Sequence, residues 1–518
     1  MSENFLKKVF RHLSKTFEQG NFLRGKANPI FAGADPLNKY FFLVSSFPSF
    51  FSRKRQGQGQ SPSSPLPRCN MKNFSNKRIS VIGLGISNTP LIQWLLDRGA
   101  IITARDRKAF DLLPERVKAF SGNGVKFICG DNYLENIDDE IIFKSPGIRY
   151  DVPGIADAVK NGAELTSEME LFFELCPGKI IGVTGSDGKT TTTTLIHKCL
   201  AAEYGEDKVF VGGNIGKPLL PELDKMSPET FAVVELSSFQ LQTMKASPDI
   251  SIITNISPNH LDYHRGMEEY IRAKENIFLH AKPGSVAVLN GVNPVTKELG
   301  KDVPTGTEVR YFLDGIADVK DGYITYDGKP VLAASDILIP GRHNIENYTG
   351  VICALHGLVS DETVRKIAKT FGGVEHRIEL VRTLDGVKYY NSSIDSSPTR
   401  TTAALNSFPG RVIVICGGYD KHIPFEPLAK PLCEKAKAVV LTGATAGKIK
   451  AALTSYPGYT PGSPEIAEEP DFEKAVLAAK SLAKPGDTVI LSPACASFDA
   501  FPNFEVRGNR FKSIVNGF

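Results

Sequence analysis

The chain has 518 residues, 42% hydrophobic and 23% charged, with 46 glycines and 33 prolines, a globular make-up that excludes collagen-like, mucin-like and wholly disordered chains. The length predicts about three domains; no apolar run reaches the ~18 residues of a membrane-spanning helix, and eight cysteines without paired spacings make neither a disulfide framework nor a zinc ribbon. The net charge of +4 is unevenly placed: residues 1–70 carry 11 Lys and Arg against 3 Asp and Glu, leaving 50 against 54 for the rest, so the body lacks the basic face of a nucleic-acid binder.

Residues 1–70 are basic and Phe-rich, and they end in the low-complexity run 56–65. That composition predicts a disordered linker with no core of its own. The expectation is a dispensable tail, or sequence upstream of a true start at Met71; a membrane-surface targeting arm is the competing reading.

From Arg78 the texture changes to three blocks of alternating strand and helix, taken as 71–167, 168–373 and 374–518. Such alternation predicts an α/β protein with doubly wound parallel sheets. In the first block, Ile79–Ile82 reads as a strand, Gly83–Gly85 as a tight turn, Leu91–Arg98 as a helix and Ile101–Thr103 as the next strand, with Asp106 just beyond its end. This is the order of a nucleotide-binding unit. The glycine pattern is incomplete, because Asn88 stands at the third glycine position, so a plain tight turn remains an equal reading.

The second block carries the strongest local signal. A strand from Lys179 runs into Thr184–Thr191, a glycine-rich turn ending in Lys189, Thr190 and a helix. Gly185 and Gly188 allow backbone N–H groups to crowd phosphate oxygens, and the helix N-terminus adds partial positive charge. Lys189 suits the β/γ-phosphates and Thr190 a magnesium ion. Val183 occupies the first Walker glycine position, so this is a shorter relative of that loop.

Strands at Phe231–Leu236 and Ser251–Thr254 then place Glu235 and the stretch Asn255–His264 where parallel sheets bind ligands. Glu235 suits magnesium; His260 is less typical for that ion, and a loop histidine alone is more often solvated or packed. Lys274 lies in an amphipathic helix and by pattern reads as an exposed lysine. The third block has strands at Arg411–Cys416, Ala438–Leu441 and Asp487–Leu491.

Together, Gly185–Thr191, Gly212–Gly216, Glu235–Gln240, His260, Lys274, Gly341–Asn347, Glu375–Arg377 and the closing stretch Leu491–Gly508 resemble the Mur ligases, from about Met71 to the C-terminus. The closing stretch resembles the D-glutamate-adding member most. The resemblance implies three domains: an N-terminal Rossmann-like uridine-nucleotide domain, a central P-loop ATPase domain and a C-terminal Rossmann-like domain. It implies ATP-dependent joining of D-glutamate to UDP-N-acetylmuramoyl-L-alanine through an acyl phosphate, in peptidoglycan precursor synthesis.

The same resemblance implies two Mg²⁺ ions held by Thr190, Glu235, His260 and a carbamate on Lys274, with Lys189 and Asn214 beside the reacting groups. ATP would lie on Gly185, Ser186, Asp187, Gly188, Lys189, Thr190 and Thr191, with Asn344 and Asn347 near its base and Arg377 near its phosphates. The uridine substrate would meet Gly85, Ile86 and Ser87, then Ser145, Pro146, Gly147 and Asn214, with Asp106 either at the uracil or ribose or simply a solvated turn acid. D-Glutamate would be held by Lys421, Ser396, Ser497 and the backbones of Phe498 and Phe504. A cytoplasmic monomer without nucleic-acid or membrane partners goes with this reading.

One departure stands out. Related ligases usually read Asn-Asp-Ser where this chain has Asn391, Ser392 and Ser393, and an acid occurs instead at Asp395. Ile394 also replaces a lysine found in some members. Other amide ligases of the folylpolyglutamate type, and a nucleotide-binding relative that has lost ligation, are the alternatives; the presence of Lys189, Glu235, His260 and Lys274 together weighs against the second.

Overall fold

The computed structural model describes residues 73–261 and 263–518. The expectations for residues 1–70 and Met71 lie outside the described residues. Among these residues no helix is long and apolar enough to cross a membrane.

Each block builds one sheet. The first contains β1 (Arg78–Ile82), β2 (Ile101–Asp106), β3 (Lys126–Cys129), β4 (Ile141–Lys144) and β5 (Glu164–Thr166), all parallel in the order 3-2-1-4-5. The second contains β6 (Lys179–Thr184), β7 (Val209–Gly213), β8 (Phe231–Glu235), β9 (Ile250–Ile253), β10 (Val286–Asn290), β11 (Glu308–Phe312), β12 (Ala317–Lys320), β13 (Tyr323–Tyr326) and β14 (Lys329–Ala333), in the order 14-13-12-11-10-9-6-8-7. The third contains β15 (Glu379–Leu384), β16 (Val387–Asn391), β17 (Val412–Gly417), β18 (Ala436–Thr442), β19 (Glu465–Glu468) and β20 (Thr488–Leu491), in the order 15-16-20-17-18-19.

The central strands are apolar runs buried on both faces, as parallel strands covered by helices must be. β8 is buried along its whole length, and so is β17. The helix after β6, Lys189–Tyr204, opens with five threonines, which are weak helix formers. Packing overrides that preference: Leu195, Ile196, Cys199 and Leu200 join Ile181, Val183 and Val233 in the second block's core.

Three sequence expectations need correction. The first helix runs Asn88–Leu96 rather than from Leu91, and Asp106 is the last residue of β2 rather than beyond it. The sheets are also not wholly parallel. β12, β13 and β14 pair antiparallel, as do β15 and β16.

In every sheet the chain reverses its strand order beside one strand, leaving a crevice at the carboxyl ends. The pairs flanking those crevices are β1 and β4, β6 and β9, and β17 and β20. Ligands of open parallel sheets bind at such points.

Candidate active site

β6 delivers the chain into the phosphate loop at the crevice beside β9. Gly185 has φ +147°, and a Cβ there would lie 1.9 Å from Thr254 Oγ1, so no larger residue fits. The loop is tied down from below. Ser186 Oγ donates to the carbonyl of Ser257 at 2.9 Å and shares a 2.9 Å bond with the Tyr270 hydroxyl. The Asp187 N–H donates to Asn255 Oδ1 at 3.0 Å. Thr190 and Thr191 fill the first helical turn, the former half-buried and the latter buried.

Lys189 curls back over the loop, its Nζ donating to the carbonyls of Gly185 and Ser186 at 3.0 Å each. Burial lowers its basicity, Arg377 adds to that, and Glu235 and Asp187 oppose it. A cavity beside the loop is lined by Asp187, Gly188, Asn290, Phe312, His343 and Asn347. Asn344 stands behind it, accepting from Asn347 Nδ2 at 3.2 Å and donating to the carbonyl of Pro340 at 2.6 Å. Glu346 also lines this cavity; it and His343 lie within the Gly341–Asn347 stretch, whereas Phe312, at the end of β11, belongs to no motif.

Glu235 ends β8 and is 1% exposed. One carboxylate oxygen accepts from Asn214 Nδ2 at 2.8 Å; the other is buried with no hydrogen-bond partner. An ionisable oxygen left so deep without a donor is costly. A cation beside it removes the cost, so this donor fits a metal site. Among the described residues no three His, Cys, Asp or Glu side chains converge.

Lys274 departs most from the sequence pattern. It is 1% exposed, not a surface lysine. Its Nζ donates to the carbonyl of Gly185 at 2.7 Å and to Thr184 Oγ1 at 3.2 Å. Burial holds this amine well below the usual lysine range, and the nearby charge of Lys189 pushes the same way. Periodicity failed here because the helix Met267–Leu279 is covered on the Lys274 side by the phosphate loop, not by apolar residues. His260 takes a left-handed φ of +52°, and its ring meets Phe239 edge-on at 5.0 Å. Phe239 also stacks on His264, which is buried and bonded to Ser238 Oγ at 2.9 Å.

In the first block the close approach falls on Gly83, where a Cβ would lie 2.7 Å from that of Ser145; Gly85 has open space around it. Asn88 donates from Nδ2 to the carbonyls of Ile82 and Gly83 at 3.2 and 2.9 Å and so pins the turn in place of a third glycine. Asp106 accepts from the N–H groups of Leu84 at 2.8 Å and Lys108 at 2.9 Å. Ile86 is exposed, Ser87 half-exposed, and Ser145, Pro146 and Gly147 line the opposite lip.

Three segments meet at the end of the third sheet. The Tyr419 N–H donates to the Ala496 carbonyl at 2.9 Å, and buried Arg507 donates to the carbonyls of Ser393, Cys495 and Ala496. Ser497 is buried there, Ser396 half-buried, and Phe498 and Lys421 are exposed. Phe504 opens the last helix and accepts from Ser393 Oγ at 2.8 Å. Asp395 is buried, accepts from Ser492 Oγ at 2.8 Å, and is also bonded to the Ser392 hydroxyl. The charge of Arg377, in the third block, acts on both Lys189 and Asp395, lowering the basicity of the first and favouring ionisation of the second.

Three family descriptions match this chain consecutively: the Mur ligase MurD-like N-terminal domain over residues 77–167, the Mur ligase middle domain over 183–355, and the Mur ligase glutamate ligase domain over 376–495. A UDP-N-acetylmuramoylalanine–D-glutamate ligase of Clostridium novyi is 48% identical over 447 residues, 85% of this chain and 97% of the relative. The chain belongs to the Mur ligase family. A ligase of the same description from Acetivibrio thermocellus is 49% identical over 458 residues, 86% of this chain and 97% of its own. The crystal structure of a UDP-N-acetylmuramate–alanine ligase from Thermotoga maritima superposes with a TM-score of 0.51 at 20% identity, covering 85% of this chain and all of the other. It shares the three-domain Mur ligase fold.

Proposed function

We propose that this Mur ligase joins D-glutamate to the alanyl carboxylate of UDP-N-acetylmuramoyl-L-alanine, driven by ATP. The observation that carries the reading is the meeting of Lys189, Lys274 and Glu235 around one phosphate loop, in a chain whose relatives at 48% and 49% identity bear that description.

A carboxylate does not condense with an amine unaided, because hydroxide is a poor leaving group. ATP supplies a better one. The alanyl carboxylate attacks the γ-phosphate in line, ADP departs and an acyl phosphate remains; the D-glutamate amine then attacks the acyl carbon and phosphate leaves. The phosphoryl step needs charge neutralisation and alignment rather than covalent help. Lys189, already held over the loop by two carbonyls, turns its ammonium onto the γ-phosphate. Asn214 fixes one oxygen of Glu235 so that the other stays free for a cation. Magnesium, when bound, neutralises the charge shared by the transferred phosphoryl group and its leaving oxygen.

Thr190 and Glu235 would hold one ion, His260 and Lys274 a second. Lys274 can serve only after conversion, because an ammonium is no ligand. Its burial supports a carbamate: the neutral amine is the form that captures CO₂. The uridine nucleotide would lie in the crevice between Gly83 and Ser145, and D-glutamate where Ser396, Lys421 and Ser497 surround the end of the third sheet. The reading takes the working form as a monomer acting in the cytoplasm; in its support, one chain carries every group named.

Phosphate release with UDP-N-acetylmuramoyl-L-alanine, D-glutamate and ATP, omitting each in turn, tests the reading. Release should need all three and should fail with L-glutamate; equal release without the uridine substrate overturns it. For the carbamate, Lys274→Ala should regain activity with added acetate and Lys274→Arg should stay inactive. An active arginine variant shows that a positive charge suffices.

A further inference from the structure

Arg149 belongs to the first block, four residues after Ser145, yet it binds the second. Its Nη1 donates to the carbonyl of Tyr263 at 2.6 Å and its Nη2 to Glu269 Oε1 at 2.8 Å. Nε and Nη2 grip Asp151 through both carboxylate oxygens at 2.8 Å. The same carboxylates are shared further. Arg265 pairs with Asp151 at 2.7 Å, Gln242 donates to Glu269 at 2.8 Å, and the Arg265 N–H donates to the other Glu269 oxygen. The Tyr263 phenol reaches back to the carbonyl of Pro146 at 3.2 Å.

The hub joins two irregular loops. One, residues 145–149, forms a lip of the first crevice; the other, 255–266, carries His260 and leads into the helix of Lys274. The Arg149, Asp151 and Glu269 side chains are only 18–21% exposed, and a planar fork bonding three acceptors fixes direction as a lysine cannot. Arg149 lies outside every strand of both sheets.

We propose that Arg149 is a positioning residue that couples seating of the uridine nucleotide on residues 145–149 to placement of the His260 loop and the Lys274 helix, so that each substrate strengthens binding of the other. The inference rests on the uridine reading of the first crevice. Seating a ligand against Ser145, Pro146 and Gly147 holds Arg149 still. A fixed Arg149 in turn fixes the Tyr263 carbonyl and Glu269, on the loop and helix that face ATP. Coupling of this kind is reciprocal.

Calorimetry without turnover tests it. A non-hydrolysable ATP analogue with Mg²⁺ is titrated with and without UDP-N-acetylmuramoyl-L-alanine. The wild-type affinity should rise about 5–10-fold with the uridine substrate present. In Arg149→Ala that ratio should fall to about one while each ligand alone binds within about threefold of wild type; Arg149→Lys and Glu269→Gln should give intermediate ratios. Should Arg149→Ala not fold, the other two variants decide. A wild-type ratio of one, or unchanged ratios in the variants, overturns the coupling. A wild type that binds no UDP-N-acetylmuramoyl-L-alanine overturns the uridine reading instead.

Discussion

Two lysines share one acceptor. The Gly185 carbonyl receives both Lys274 Nζ, at 2.7 Å, and Lys189 Nζ, at 3.0 Å. Two ammonium groups on one oxygen repel, and burial lowers the basicity of both, with Lys274 held well below the usual lysine range. Lys189→Ala should lower ligation at least about 100-fold, the scale of losing one charge-stabilising donor, while uridine-nucleotide affinity stays within about twofold; wild-type turnover in the variant would remove Lys189 from the site. Asp395 makes a different prediction. Burial raises its carboxyl from 3.8 to about 6, so the folded chain holds that proton more tightly than the unfolded one. Ionisation then costs stability, a cost that accumulates between about pH 4 and pH 6 and reaches about 3 kcal/mol. Asp395→Asn should raise Tm at pH 7.5 and leave it unchanged near pH 4. A lower Tm at pH 7.5 would mean that the Ser392 and Ser492 hydroxyls more than offset the burial.

The phosphate loop and its flanking elements were the most legible part of the sequence, because strand, glycines, lysine and helix are contiguous. Gly185→Ala forces a Cβ onto Thr254 Oγ1 and should cost about 1–3 kcal/mol of stability together with most of the activity. A variant as active and as stable as wild type shows that the loop can shift. Elements whose partners lie far along the chain were not legible. Lys274 reads as exposed until the loop some 90 residues earlier is laid over it, and nothing near Arg149 announces Glu269, 120 residues on. The antiparallel hairpins were readable but missed. Asp321-Gly322, Asp327-Gly328 and Asp385-Gly386 each have positive φ at both residues, the pattern of two-residue turns that reverse a strand. The general rhythm of strand and helix outweighed them.

At the scale of the whole molecule, each sheet opens one crevice, and the three hold different chemistry. The first presents a turn and a Ser-Pro-Gly lip, the second a phosphate loop with buried lysine and carboxylate, and the third a polar end around Ser396, Lys421 and Ser497. Selectivity for the incoming amino acid should therefore separate from nucleotide binding. Lys421→Ala should raise KM for D-glutamate at least about tenfold, since a site built for two carboxylates is left with one unsatisfied. KM for ATP should hold within about twofold. An unchanged D-glutamate KM shifts the contact to Ser497 and Ser396.

The strand order of the third sheet also bears on how the protein is made. β20, the last strand in the chain, lies between β16 and β17. While the ribosome is still short of residue 488, those two strands have no bridge between them, and each presents an open edge of the kind that invites aggregation. A nascent chain can complete the first two blocks and remain unfinished in the third until β20 has been made. A chain cut short of β20 should therefore lack the centre of its third sheet, and its third block should be open to proteolysis.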